Sequence, residues 1–418
     1  MFTISLIQKL SSSFLSIQEQ IISIITILAI FGTAVMISAG MWDALSHIRN
    51  GPEFFWTIQH VTVYGGVAMI ASAAVLGSIF VIKKFVDKNL QRGIKIESSD
   101  GWGVVAIDPD TNKVYVTRPQ SGMVTIIDGI TNKLLSFIEV GSFAYGIDIN
   151  TNTKMLYVAR EHANILAVIN ASTNEIVENI SILDPYDVAV NPNTNTVYVT
   201  SDEYHSVSVI DGATNEIIAT FTVQVPCGIA VNPQTNMIYV TSESTDKVHV
   251  IDGNTNSLVT IIDVEKSPRG VAVNSESNTI YVTNQASDNI SVIDGFKNTV
   301  VDTIAVGDTP RQIAVNPETN KLYVTNQFSE TVSVIDGSRN VVVDTISVNN
   351  PFDMAINPST NKVYVTYFET GTLSIITDSI KVQPSSILSL PTIIGIVVAV
   401  VLASVLAAKF IRKKQLKT

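Results

Sequence analysis

Arg269 and Arg311 stand 42 residues apart, each directly before a short apolar run (Gly270-Val271-Ala272-Val273 and Gln312-Ile313-Ala314-Val315). Two guanidinium groups held side by side grip a carboxylate or a phosphate through charge-assisted hydrogen bonds. The same register, counted in steps of about 41 residues, holds Gly103, Tyr145, Tyr186, Cys227 and Phe352, whose aromatic members offer stacking surfaces. Ordinary surface variation is the competing reading. A second chemistry is suggested by Glu161-His162 and Asp202-Glu203-Tyr204-His205, because imidazole and carboxylate together suit a divalent ion. A solvated acidic rim is the alternative there. A third pair, His47 and His60, lies among Trp42, Asp43, Phe54, Phe55, Trp56 and Tyr64, and two histidines at one membrane edge could hold a metal or haem. An aromatic interfacial belt with solvated polar residues is the preferred reading of that segment, since no further ligand cluster accompanies the two histidines. No phosphate-cradling glycine loop, zinc-ligand spacing or nucleophile elbow occurs, so no catalytic residue and no cofactor is expected.

These residues are positioned by a repeat. Tyrosine followed by valine occurs at Tyr115, Tyr157, Tyr198, Tyr239, Tyr281, Tyr323 and Tyr364. Seven residues before each lies Asp108, Asn150, Asn191, Asn232, Asn274, Asn316 or Asn357; thirteen after comes Asp128, Asn170, Asp211, Asp252, Asp294, Asp336 or Thr377. Each complete period contains four apolar runs of strand length, separated by segments such as Asn-Pro-x-Thr-Asn and Asp-Gly-x-Thr-Asn with hairpin-turn chemistry. In the fifth period they are 270–273, 279–283, 290–293 and 300–304. Four-stranded units of this size are propeller blades, and seven tyrosines predict seven blades. A small alanine (Ala106, Ala189, Ala230, Ala272, Ala314, Ala355) recurs where first strands crowd round the hub, with Asp148 the exception. The last period lacks a fourth strand, and Gly93-Ile94-Lys95-Ile96 aligns with it, so an N-terminal strand is expected to close the ring and remove an exposed edge.

The Tyr-Val-Thr-Asn at 281–284 and 323–326, with Tyr-Val-Thr in four other periods and Tyr-Val-Ala in the second, resembles the YVTN β-propeller family. That family includes surface-layer-type proteins and is similar to lactonase-like and nitrite-reductase propellers. The resemblance implies the seven-bladed fold; it leaves open a binding or structural module, a lactonase-like or redox enzyme with a site at the channel mouth, and a cytoplasm-facing sensor. In an antiparallel blade the regular turns share one face. The other, variable face carries the loops between strands two and three and between blades, hence the arginine-aromatic ring.

Charge separates the chain into different materials. Residues 101–380 hold 13 Lys+Arg against 31 Asp+Glu, whereas the flanks are net basic. An acidic middle excludes nucleic acid as a partner. Between Glu161 and Asp246 there are 11 acidic residues and no Lys or Arg, a sector suited to a basic partner or a cation. Uncharged apolar stretches near 21–41, 62–82 and 388–408 are long enough to span a bilayer. The expected organisation is therefore a membrane region over 1–92, a propeller over 93–380, and a linker, transmembrane helix and basic tail over 381–418. Lys409, Arg412, Lys413, Lys414 and Lys417 place the C-terminus in the cytoplasm and the propeller outside, presented to an extracellular ligand or surface protein. Lys83, Lys84, Lys88, Arg92 and Lys95 oppose that orientation. Sequons at Asn170, Asn179 and Asn289 are glycosylation candidates on an exterior domain. The single cysteine rules out an intramolecular disulfide.

Overall fold

The structure, a computed structural model, describes residues 101, 103–367 and 373–377. The three apolar stretches, the closing segment 93–96, and His47 and His60 lie outside the described residues, among which no helix is long and apolar enough to cross a membrane. What is described is all-β. Twenty-seven strands form seven antiparallel sheets, six with four strands and one, blade seven, with three. The sheets follow one another in sequence as the blades of a seven-bladed propeller. In blade five the strands are Pro268–Asn274, Thr279–Asn284, Asn289–Asp294 and Thr299–Ala305, bracketing the four apolar runs.

Register explains the repeated tyrosine. In every blade it lies opposite the hub residue of the first strand, Ala106 against Tyr115 and, in blade two, Asp148 against Tyr157. All seven tyrosines are fully buried. The seven hydrophobic clusters are shared between neighbouring blades, and each takes the tyrosine of one blade into the apolar side chains of the next. Burial of aromatic and branched aliphatic surface between sheets is thus the main glue round the ring. The cluster joining Tyr364, Leu373 and Ile375 to Val105, Val114 and Ile127 closes blade seven onto blade one.

Two circumferential hydrogen-bond belts add specificity to that packing. On the regular face, an asparagine amide of each blade donates to the turn asparagine of the next, as in Asn191 Nδ2 to Asn236 Oδ1 at 2.6 Å and Asn357 to Asn112 at 3.1 Å across the closure. Blade one has Asp108 in place of the donor, and blade two has Lys154 in place of the acceptor. Lys154 Nζ lies 2.9 Å from the Asp108 carboxylate, which is 1% exposed, so an ion pair substitutes for the amide pair.

The second belt lies beneath the variable face and uses the threonine of Tyr-Val-Thr. Thr241 Oγ1 accepts the Gly228 N–H at 2.9 Å within its blade and donates to the Arg269 carbonyl of the next at 2.7 Å. Thr117 donates likewise to the Tyr145 carbonyl, Thr200 to Cys227, Thr283 to Arg311 and Thr366 to Gly103. Blade two has Ala159, and there the Gly146 N–H reaches the Tyr186 carbonyl directly at 3.1 Å. The signature threonine therefore fixes the backbone of the residues that ring the mouth.

Candidate functional site

Immediately above the threonine belt the first strands begin, and their leading residues converge. Tyr145, Tyr186, Cys227, Arg269, Arg311 and Phe352 line one depression at the channel mouth, together with Val104, Asp187, Gly228, Gly270, Gln312 and Asp353. The cavity is about 50 Å³. One water needs at least about 10–15 Å³ on this measure, so the site takes a few waters or one small ligand group.

The two arginines have different states. Arg269 is held by the Tyr186 hydroxyl at 2.7 Å and the Glu243 carboxylate at 3.4 Å. Arg311 instead lies over the Phe352 ring, its guanidinium carbon 3.9 Å from the centroid, in cation–π geometry. Among the described residues it has no ion-pair partner. Burial, with Arg269 close by, pulls its pKa down to about 10, so it remains a cation at neutral pH. Tyr145 and Tyr186 stack alongside with centroids 6.5 Å apart. Cys227 is buried, and its thiol donates to Glu243 at 3.2 Å; burial pushes its pKa up to about 12, so it is no activated nucleophile.

Directly below this ring is a polar layer that the repeat pattern did not reveal. Side chains alternate along a strand, so the residue after the leading one, and the hub position two further on, face the channel. Asp187, Gln312 and Asp353 occupy the first of these layers and Asp148 the second. Each carboxylate bridges two blades through backbone amides. Asp148 accepts the N–H groups of Ile149 and Val190, both at 2.8 Å; Asp187 accepts those of Val188 at 2.9 Å and Ile229 at 3.3 Å; Asp353 accepts that of Val105 at 2.8 Å. Burial raises Asp148 to about 6, Asp187 to about 7 and Asp353 to about 6, against the stabilising pull of those amides. Asp148 and Asp187 keep partial access to the channel, while Asp353 is buried. Asp148 thus serves as an interblade staple.

The expected divalent site is regrouped. Glu161 and His162, on a short 3-10 turn (Glu161–Ala163), come together with Asp184 from the connection into blade three, one donor atom of each lying within 4.8 Å of the others. His205 belongs elsewhere. In successive blades the residue leading into the first strand is left-handed (Asp184, Val225, Ser267, Thr309), and its N–H is clamped by a side chain of the preceding loop. Asn164 clamps Asp184 at 2.8 Å, Asp246 clamps Ser267 and Asp288 clamps Thr309, both at 2.9 Å. His205 Nδ1 does the same for Val225 at 3.1 Å, which occupies that nitrogen. Asp202 stays near enough to Asp184 and Glu161 to act on their charges.

Of the sequon asparagines, Asn179 is exposed on the outer strand Glu175–Ser181. Asn170 accepts the amides of Ser172 and Thr173 in its own turn, and Asn289 accepts the Asn284 amide at 2.7 Å.

No family model matches the chain, and no curated protein matches it. Among solved structures, the chain is similar to Kuenenia stuttgartiensis hydrazine synthase, with a TM-score of 0.62 and 15% sequence identity over 69% of this chain and 99% of that one. Likeness at this identity establishes the propeller fold and carries no activity with it.

Proposed function

We propose that the chain is a binding module that receives a small anionic group, a carboxylate or phosphate borne by its ligand, at the propeller's channel mouth. The observation that carries this reading is Arg311: a cation at neutral pH, half-buried at the channel mouth, stacked on Phe352 and without an ion-pair partner among the described residues. A half-buried guanidinium gains most from a planar, bidentate anion, since fewer water contacts are then sacrificed. Arg269 adds positive potential, and the hydroxyls of Tyr145 and Tyr186 supply hydrogen-bonding groups at the rim. The acidic sector on blades two to four repels anions at long range. Recognition is accordingly short-range, with the rest of the ligand contacting the loops around the mouth.

Thermal melting of the full-length chain in a panel of acetate, succinate, phosphate and sulfate at constant ionic strength tests the proposal. At least one carboxylate or phosphate should raise the melting temperature, and Arg311→Gln should abolish that rise. An unchanged response in Arg311→Gln would remove the basis of the reading.

The sequence of the flanks supports a further part of the proposal, that the module is anchored in a membrane and displays its variable face outside the cell. Exposure of intact cells to protease should then cleave or shed the propeller; full protection would place it in the cytoplasm.

A further inference from the structure

We infer a divalent-cation site on the variable face between blades two and three, built from Glu161, His162 and Asp184, that takes a zinc-like transition-series ion. It is distinct from the proposed anion-binding mouth, although Glu161 is close enough for its charge to act on Tyr145 at the rim.

Three carboxylate and imidazole groups near one another are common on acidic surfaces. Asp184 marks this set out. It is 5% exposed, its Oδ1 lies 3.6 Å from His162 Nδ1, and its Oδ2 is buried with no hydrogen-bond partner among the described residues. A buried carboxylate oxygen facing no donor is costly, and a bound ion is one of the few ways to satisfy it. Burial and the nearby charges of Asp202 and Glu203 raise the pKa of Asp184, opposed only by His162. Burial also raises Glu161, with Asp184, Asp202 and Glu203 adding to the effect against His162. Asp202 and Glu203 thus place further negative charge beside the set.

The donors are also held in place. The Glu161 N–H is bonded to the Phe143 carbonyl at 3.1 Å, and the His162 ring packs on Phe143 with centroids 4.7 Å apart. Asn164 fixes the Asp184 backbone. Donors around a tetrahedral ion with bonds of about 2.0–2.1 Å lie about 3.4 Å apart. With all separations within 4.8 Å, and His162 Nδ1 to Asp184 Oδ1 already at 3.6 Å, each group needs to close by at most about an ångström. His162 is half exposed, so its ring can shift along Phe143 to make that adjustment. One imidazole with two carboxylates favours zinc and its transition-series neighbours over calcium or magnesium, which prefer all-oxygen shells.

Isothermal titration of zinc chloride into chelator-treated full-length chain is the test. One equivalent should bind, and Asp184→Asn and His162→Gln should each weaken binding tenfold or more. His205→Gln, which alters only the neighbouring clamp, should leave it within about twofold. Because His162 is a surface side chain, its variant separates loss of metal from loss of fold. Absence of zinc binding, binding retained in either ligand variant, equal loss in His205→Gln, or tighter binding of calcium than of zinc would each overturn the assignment.

Discussion

Replacing Asp187 by asparagine should change how the propeller's stability depends on pH. In the folded chain the Asp187 carboxyl is raised to about 7 from an ordinary value of 3.8. Below 3.8 both folded and unfolded chains hold the proton. Between 3.8 and about 7 only the folded chain holds it, so stability falls as pH rises, by at most about 1.4 kcal/mol per unit. Above about 7 both states are ionised and the loss is complete. The full shift corresponds to about 4 kcal/mol, and channel access screens part of it, leaving about 2 kcal/mol. Asparagine cannot titrate, but it also cannot accept both the Val188 and Ile229 amides, because one of its terminal atoms is a donor. That lost acceptor costs about 1–3 kcal/mol at every pH. Asp187→Asn should therefore be clearly less stable than the parent at pH 5, and the gap should shrink or reverse by pH 8. Urea midpoints of both proteins, followed by circular dichroism across that range, read this difference directly. Asp148 and Asp353 titrate in both proteins, and because their charges act on Asp187 the comparison reads the difference between the two curves. A gap that stays constant from pH 5 to pH 8 would refute the assignment of Asp187 as a carboxyl neutral in acid and ionised in base.

The same buried carboxyls govern the mouth: as Asp187 and Asp353 ionise between pH 5 and 8, affinity for the anionic ligand should fall severalfold, and a pH-independent titration would contradict their proximity to it. Lys154→Met leaves Asp108 buried without its ion-pair partner and should destabilise the chain by about 3–5 kcal/mol, whereas Asp108→Asn with Lys154→Asn should restore most of it by recreating the amide pair of the other blades. Thr241→Val removes the bonds to Gly228 and Arg269 and should lower stability by about 2–3 kcal/mol in urea denaturation, accompanied by weaker anion binding through a displaced Arg269 backbone. Native Cys227, buried and held as a thiol, should react with iodoacetamide at pH 8 only at the rate of global or local unfolding; labelling as fast as in the denatured chain would contradict its burial.

The ring of Arg269, Arg311, Tyr145, Tyr186 and Phe352 was legible because a strict repeat converts sequence position into angular position, and seven equivalent positions must encircle one axis. The aspartates beneath were harder to see. At the register of Asp187 and Asp353 three blades carry glycine (Gly146, Gly228, Gly270), so the position reads as the start of a strand. Its signal was an acid where neighbours are small, the same anomaly that marked Asp148. The threonine of Tyr-Val-Thr was visible as a signature, but its double hydrogen bond crosses blades and is expressed only once the ring forms. His205 departs from the grouping expected of it for a local reason. It shares acidic neighbours with His162, yet its left-handed backbone turns the imidazole onto the Val225 amide, a contact set by loop geometry. Asp184 sits in a connection, where only the acid-before-proline pattern of Asp184-Pro185 marks it in the sequence.

The most direct test of an anion-receiving mouth is to locate a probe anion crystallographically. Crystals of the full-length chain soaked in bromide should show anomalous density against the Arg311 guanidinium, above Phe352 and beside Arg269, and Arg311→Gln crystals should lose it. Bromide sites confined to surface lysines, with none at Arg311, would contradict the proposed function.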